Sequence, residues 1–120
     1  MTLQSTQPLA LSSDTLQGDK VVNLQNEELG KVEEIMIDIH TGRVAYVVVS
    51  FGGFLGIGNK LFAVPWSALK VDTDNKCFVM DADKELLKNA PGFDKNNWPN
   101  TPNGQWYHDI YQYYKQEPYW

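Results

Sequence analysis

The chain has 120 residues, which suits one domain around one core. Fifteen acidic residues against ten scattered basic ones give a net charge of −5, which argues against direct binding of nucleic acid or of an anionic membrane surface. One cysteine, Cys77, excludes an intrachain disulfide, and no run approaches the roughly 20 apolar residues of a membrane span, so no membrane insertion is expected.

Residues 1–13 are rich in Ser, Thr and Gln and read as a flexible arm, without the basic and apolar regions of a signal peptide. The expected location is cytoplasmic. The folded part is expected from Asp14 onward. Residues 20–24 read as a first strand, and Gln25-Asn26-Glu27 as its turn. Residues 29–39 read as a longer strand, with Ile35, Ile37 and Ile39 on one face. Val32 falls on the opposite parity, and a bulge near Glu33 and Glu34 would restore the phase. His40-Thr41-Gly42 reads as a tight hairpin turn with Gly42 at positive φ.

Residues 43–51, RVAYVVVSF, form the strongest predicted strand and are apolar on both faces. A strand with one wet face alternates, so some other element must cover its second face. Residues 60–64 form another strand, ended by Pro65, and residues 66–69 form a helical turn. Residues 70–72 and 77–80 make a hairpin. Asp83 N-caps a short helix over 83–89, which stops before Pro91. Ile35, Ile37, Val48 and Phe62 are expected to point inward.

Between the strongest strand and Pro65 lies a glycine-rich stretch that carries Phe54, Leu55 and Ile57. It lacks the Gly-Lys-hydroxyl ending of a P-loop and the βαβ context of a dinucleotide site, so no nucleotide is expected there. A wide turn that caps one end of a barrel is favoured. The run at 72–76, DTDNK, fails as a calcium loop because Cys77 stands where a glycine is needed. His40, His108 and Cys77 lie far apart in sequence, so no metal is expected. Cys77 sits on an apolar strand as a packing residue. The acidic run Glu27, Glu28, Glu33 and Glu34 reads as a solvated face. No catalytic residue and no cofactor are expected.

Residues 91–120 hold nine of the chain's fifteen aromatics. The first half, rich in Pro and Asn, is expected to be irregular. In the second half Trp106, Ile110, Tyr113 and Tyr114 recur at helical spacing, and Tyr107 and Tyr111 widen the stripe. So many rings belong on a surface: that of the barrel itself or that of a neighbouring copy.

The stretch from Gly18 to Leu69 resembles the PRC-barrel domain family. The resemblance rests on the segment from Gly18 through Val22, Leu29-Gly30-Lys31, Ile35-Met36-Ile37-Asp38, the Thr41-Gly42-Arg43 turn and Val64-Pro65-Trp66. The stretch NAPGFDKNNWP also looks like one found in small free-standing members. The resemblance implies a mostly β fold, a small six-stranded antiparallel barrel over 14–90 followed by a short helix and the aromatic extension over 91–120. It also implies docking and assembly without catalysis. The expected function is therefore a non-enzymatic protein-interaction module that self-associates as a homodimer; the alternative is a small-ligand or ribosome-associated adaptor. The candidate interaction residues are Phe54, Leu55, Ile57, Trp98, Trp106, Tyr107, Ile110, Tyr113 and Tyr114.

Overall fold

Ser12 starts the first ordered element, because its hydroxyl accepts the backbone N–H of Asp14 at 3.1 Å and caps a single turn, α1 (Ser13–Leu16). One turn is too short for periodicity to announce it, and the sequence placed the arm's end within it. The computed structural model describes residues 8–51, 60–99 and 104–120.

Beyond α1 the strands follow as β1 (Lys20–Val22), β2 (Glu28–Ile37), β3 (Val44–Phe51) and β4 (Lys60–Val64). After a 3-10 turn at Trp66–Ala68 come β5 (Leu69–Asp72), β6 (Cys77–Met80), α2 (Lys84–Lys88), β7 (Phe93–Asp94) and α3 (Gly104–Tyr113). The strands form one sheet in the order β5-β6-β1-β2-β3-β4-β7, and among the described residues its two ends do not pair. The mostly β fold with a trailing aromatic helix is the one expected, with two differences in detail. β1 and β6 run parallel, Val21 facing Phe78, and a seventh strand is added.

That seventh strand lies in the stretch expected to be irregular. Phe93 and Asp94 pair with Leu61 and Lys60. Gly92 makes the approach possible: a Cβ there would stand 2.9 Å from the Leu61 carbonyl oxygen and 2.8 Å from the Phe62 ring.

Local chemistry sets the turns. Asn23 is buried, and its side-chain oxygen accepts the N–H groups of Gln25 and Glu27 at 3.0 and 2.9 Å, which fixes the β1–β2 connection. At the β2–β3 turn Gly42 takes φ 76, as the sequence required, and Asp38 N donates to Arg43 O at 2.7 Å. Asp83 caps α2 by accepting the Leu86 N–H at 2.8 Å.

The core gathers Val21, Leu29, Val32, Phe51, Phe62, Phe78 and Met80 with the whole run Ala45–Val49. β3 is therefore buried on both faces, as its composition demanded. The expected bulge is present, since the register shifts between Val32 and Glu34. Val48 and Phe62 are fully buried, and Ile35 is half-buried against the core. Ile37 is not inward: its side chain is 52% exposed, and Ile39 beyond it is 89% exposed. A second register shift between Met36 and Ile37, where β2 leaves its partner for the turn, moves Ile37 off the buried face.

Candidate docking surface

The aromatic helix lies on its own barrel. α3 buries Ile110 and Tyr111, and Tyr114 just beyond it is buried too. The Tyr111 hydroxyl donates to the Ala45 carbonyl at 2.7 Å, which ties the helix to β3. Trp106 meets the Tyr46 ring edge-on with centroids 5.3 Å apart, and Tyr107 lies 6.0 Å from it. The Tyr113 hydroxyl donates to the Leu86 carbonyl within α2. The Tyr114 hydroxyl is buried with no hydrogen-bond partner among the described residues.

The candidate interaction residues thus fall into three groups. Ile110 and Tyr114 sit in the chain's own core, while Trp106, Tyr107 and Tyr113 are half-buried against it. Trp98 is half-buried beside Phe93, 5.1 Å between centroids. Phe54, Leu55 and Ile57 lie outside the described residues.

After α3 the chain reverses. Lys115 takes φ 57, and Gln116 N donates to Tyr111 O at 2.9 Å, a helix ending of the left-handed kind. The reversal returns Tyr119 and Trp120 to the β2–β3 turn. The Tyr119 hydroxyl donates to Asp38 Oδ2 at 2.7 Å, and Arg43 Nη1 donates to the Tyr119 carbonyl at 3.1 Å. The Arg43 guanidinium also lies 6.0 Å from the Tyr119 ring centroid. Trp120 packs edge-on against Tyr111 at 4.9 Å and against Tyr119 at 5.1 Å. This contact holds the Asp38 carboxyl below its ordinary range, chiefly through the Tyr119 hydroxyl and then the His40 N–H. Burial, and then the bond to Asp38, pushes the Tyr119 phenol up.

Beside this contact opens a cleft of about 390 Å³, lined by Met36 to His40, Ala45, Tyr46, Gly104, Tyr107, Tyr119 and Trp120. Three of the large apolar side chains left exposed by the fold, Ile37, Ile39 and Trp120 (51% exposed), meet around it. An apolar cluster open to water at a cleft is a surface that another molecule can cover. Sequence reasoning named neither Ile39 nor Trp120 for this role. It placed Ile39 on one strand face with Ile35 and Ile37 and left Trp120 as one ring among many. The signal available was Asp38 and Arg43 flanking a tight turn, which gives an incoming tyrosine one acceptor and one donor.

Among the described residues no group of three or more His, Cys, Asp or Glu side chains is placed to hold a metal ion, and no helix is long and apolar enough to cross a membrane. Burial pushes the Cys77 thiol up, away from the reactive thiolate.

Residues 10–87 match the PRC-barrel domain family. Among solved structures, the chain is similar to one described as a 16S ribosomal RNA processing protein, RimM, from Pseudomonas aeruginosa, with a TM-score of 0.48 and 16% identity. The match covers 70% of this chain and 50% of that one, so this chain spans about half its length. No curated protein matches the sequence.

Proposed function

The chain belongs to the PRC-barrel domain family, and on that premise we propose that it is a non-enzymatic protein-docking module that assembles with a second copy of itself. One observation carries the reading: Ile37, Ile39 and Trp120 stand exposed around a single cleft whose walls are fixed by the Tyr119–Asp38 and Arg43–Tyr119 hydrogen bonds. A preformed, mostly apolar cleft needs little reordering to receive a partner, which lowers the entropic cost of association. A twofold pair is the commonest closed assembly, and it would cover the cleft on both copies at once. The aromatic residues of the extension support this role indirectly, because they cover β3 and hold the cleft's wall.

Sedimentation equilibrium of the full chain from low to high micromolar concentration tests the reading. The expected result is a dimer mass that gives way to a monomer mass in an Ile39→Asp variant. A monomer mass throughout for the unmodified chain defeats self-association, and a dimer unaffected by Ile39→Asp moves the interface elsewhere.

A further inference from the structure

Tyr119 and Trp120 form one wall of the docking cleft, and the segment that carries them is held differently from the sheet. Beyond Gln116, whose N–H ends α3, no backbone–backbone hydrogen bond is made among the described residues. Residues 117–120 are kept in place by two hydrogen bonds, both at Tyr119, and by the rings of Tyr119 and Trp120. We propose that residues 117–120 form a hinged strap that opens and recloses while the sheet stays folded, and that this motion makes and unmakes the docking cleft. The proposal rests on the docking reading above and adds what regulates that site.

The strap is a narrow partition. On one side Tyr119 and Trp120 line the cleft of about 390 Å³. On the other, Glu117 and Tyr119 line a hollow of about 330 Å³ together with Arg43, Val44, Trp66 and Tyr111. Tyr119 therefore has a hollow on both flanks. Beneath the strap lies the Tyr111 ring, with centroids 4.9 Å from Trp120 and 6.2 Å from Tyr119. Glu117, Pro118 and Trp120 are exposed, and Pro118 has no N–H with which to join a ladder. A segment with few buried contacts and no backbone ladder opens locally at a lower free energy than the whole fold.

Lys115 supplies the hinge. Its φ of 57 is left-handed backbone, which a helix ending usually gives to glycine or asparagine. A lysine there holds the reversal at a cost that opening relieves. The receiver, by contrast, is built by the β2–β3 turn without help from the strap. Asp38 Oδ1 accepts the His40 N–H at 2.9 Å, Asp38 O accepts the Gly42 N–H at 2.8 Å, and Thr41 Oγ1 accepts the Arg43 N–H at 3.1 Å. These bonds use none of the atoms that meet Tyr119. Asp38 Oδ2 and Arg43 Nη1 thus keep their places when the strap leaves, and the same two bonds re-form on its return.

Opening removes Tyr119 and Trp120 from the cleft lining and joins the cleft to the hollow behind it, over Tyr111 and the start of β3. Closing restores the fixed wall. The two Tyr119 bonds therefore set the fraction of chains that present a finished cleft, and apparent docking affinity scales with that fraction.

The test uses the full chain with fluorine-labelled tryptophan in four forms: unmodified, Arg43→Met, Tyr119→Phe and the double variant. Arg43 lines the hollow and not the cleft, so its variant reaches docking only through the strap. Opening is read as displacement and relaxation dispersion of the Trp120 signal, and the amide signals of Val48 and Phe78 report whether the sheet is folded. Each single variant is expected to raise the open-to-closed ratio at least about tenfold, and the double variant further, with Val48 and Phe78 unmoved. Dimerisation by sedimentation equilibrium is expected to fall in step with the closed fraction. If Trp120 moves only together with Val48 and Phe78, strap and sheet are one unit and the proposal fails. If the Trp120 signal is the same in all four forms, the two bonds do not hold the strap, and it fails again. A strap that opens while dimerisation ignores the closed fraction does not regulate the site. A chain that is monomeric in every form defeats self-association instead, and the strap then stands or falls on the Trp120 signal of that monomer.

Discussion

Tyr119 reaches back across the chain to Asp38, its hydroxyl 2.7 Å from the carboxylate, and so fastens the end of the aromatic extension to the β2–β3 turn. A charge-assisted hydrogen bond of this length is among the stronger side-chain contacts available. Tyr119→Phe and Asp38→Asn are each expected to lower the melting temperature. The double variant should fall by clearly less than the sum of the two, because both remove the same bond. Additive losses in thermal denaturation would mean that the two residues act separately.

Two buried tyrosines in the same helix region give opposite expectations. Tyr111→Phe leaves the buried Ala45 carbonyl without its donor and should cost about 1–3 kcal/mol. Tyr114→Phe removes a hydroxyl that has no partner among the described residues, so stability should hold or rise by up to about 1–3 kcal/mol. Urea denaturation of both variants checks this. A large loss for Tyr114→Phe would show that its hydroxyl is bonded in solution.

The tyrosines also set an alkaline limit. Burial, and then the neighbouring Tyr107, pushes the Tyr111 phenol up from 10.0 to about 12. Burial raises Tyr114 as well. The folded chain holds these protons more tightly than the unfolded chain does. The Tyr111 contribution is complete below pH 10 and is lost as the pH rises from 10 through about 12, and the raised Tyr114 phenol acts in the same direction. Asp38 acts at the other end: its carboxyl is lowered from 3.8, so its contribution is present above that pH and fades as the pH falls through the lowered value. Tyrosinate absorbance at alkaline pH should rise later for the folded chain than for the denatured one. Coincident curves would contradict the burial of these rings.

Ile37 and Phe62 separate surface from core. Phe62 is fully buried, and Phe62→Ala should cost about 3–5 kcal/mol. Ile37→Ala, at a half-exposed position, should cost no more than about 0.5 kcal/mol. Equal losses by chemical denaturation would return Ile37 to the interior.

Much of the fold was legible because strand chemistry is local. The double-sided apolar run of β3, the Gly42 turn, the Asp83 cap and the bulge after Val32 each rest on residues within a few positions of one another. What escaped depended on contacts distant in sequence. Ile37 has the parity of a buried residue, and only the second register shift against β3 exposes it. β7 exists because Gly92 admits a close approach to Leu61 and Phe62, some thirty positions earlier. The cleft escaped for the same reason. Trp120 and Ile39 are neighbours only because the chain reverses after α3 and because Asp38 and Arg43 receive Tyr119.

The central claim is that the cleft between the β2–β3 turn and the Tyr119–Trp120 segment is where this chain meets a partner copy. Backbone amide NMR spectra of the full chain, recorded from low to high micromolar concentration, test it most directly. The account predicts concentration-dependent shifts confined to Met36 through His40, Tyr107, Tyr119 and Trp120, with the rest of the sheet unmoved. Spectra that do not change with concentration, or shifts centred on another face, would contradict it.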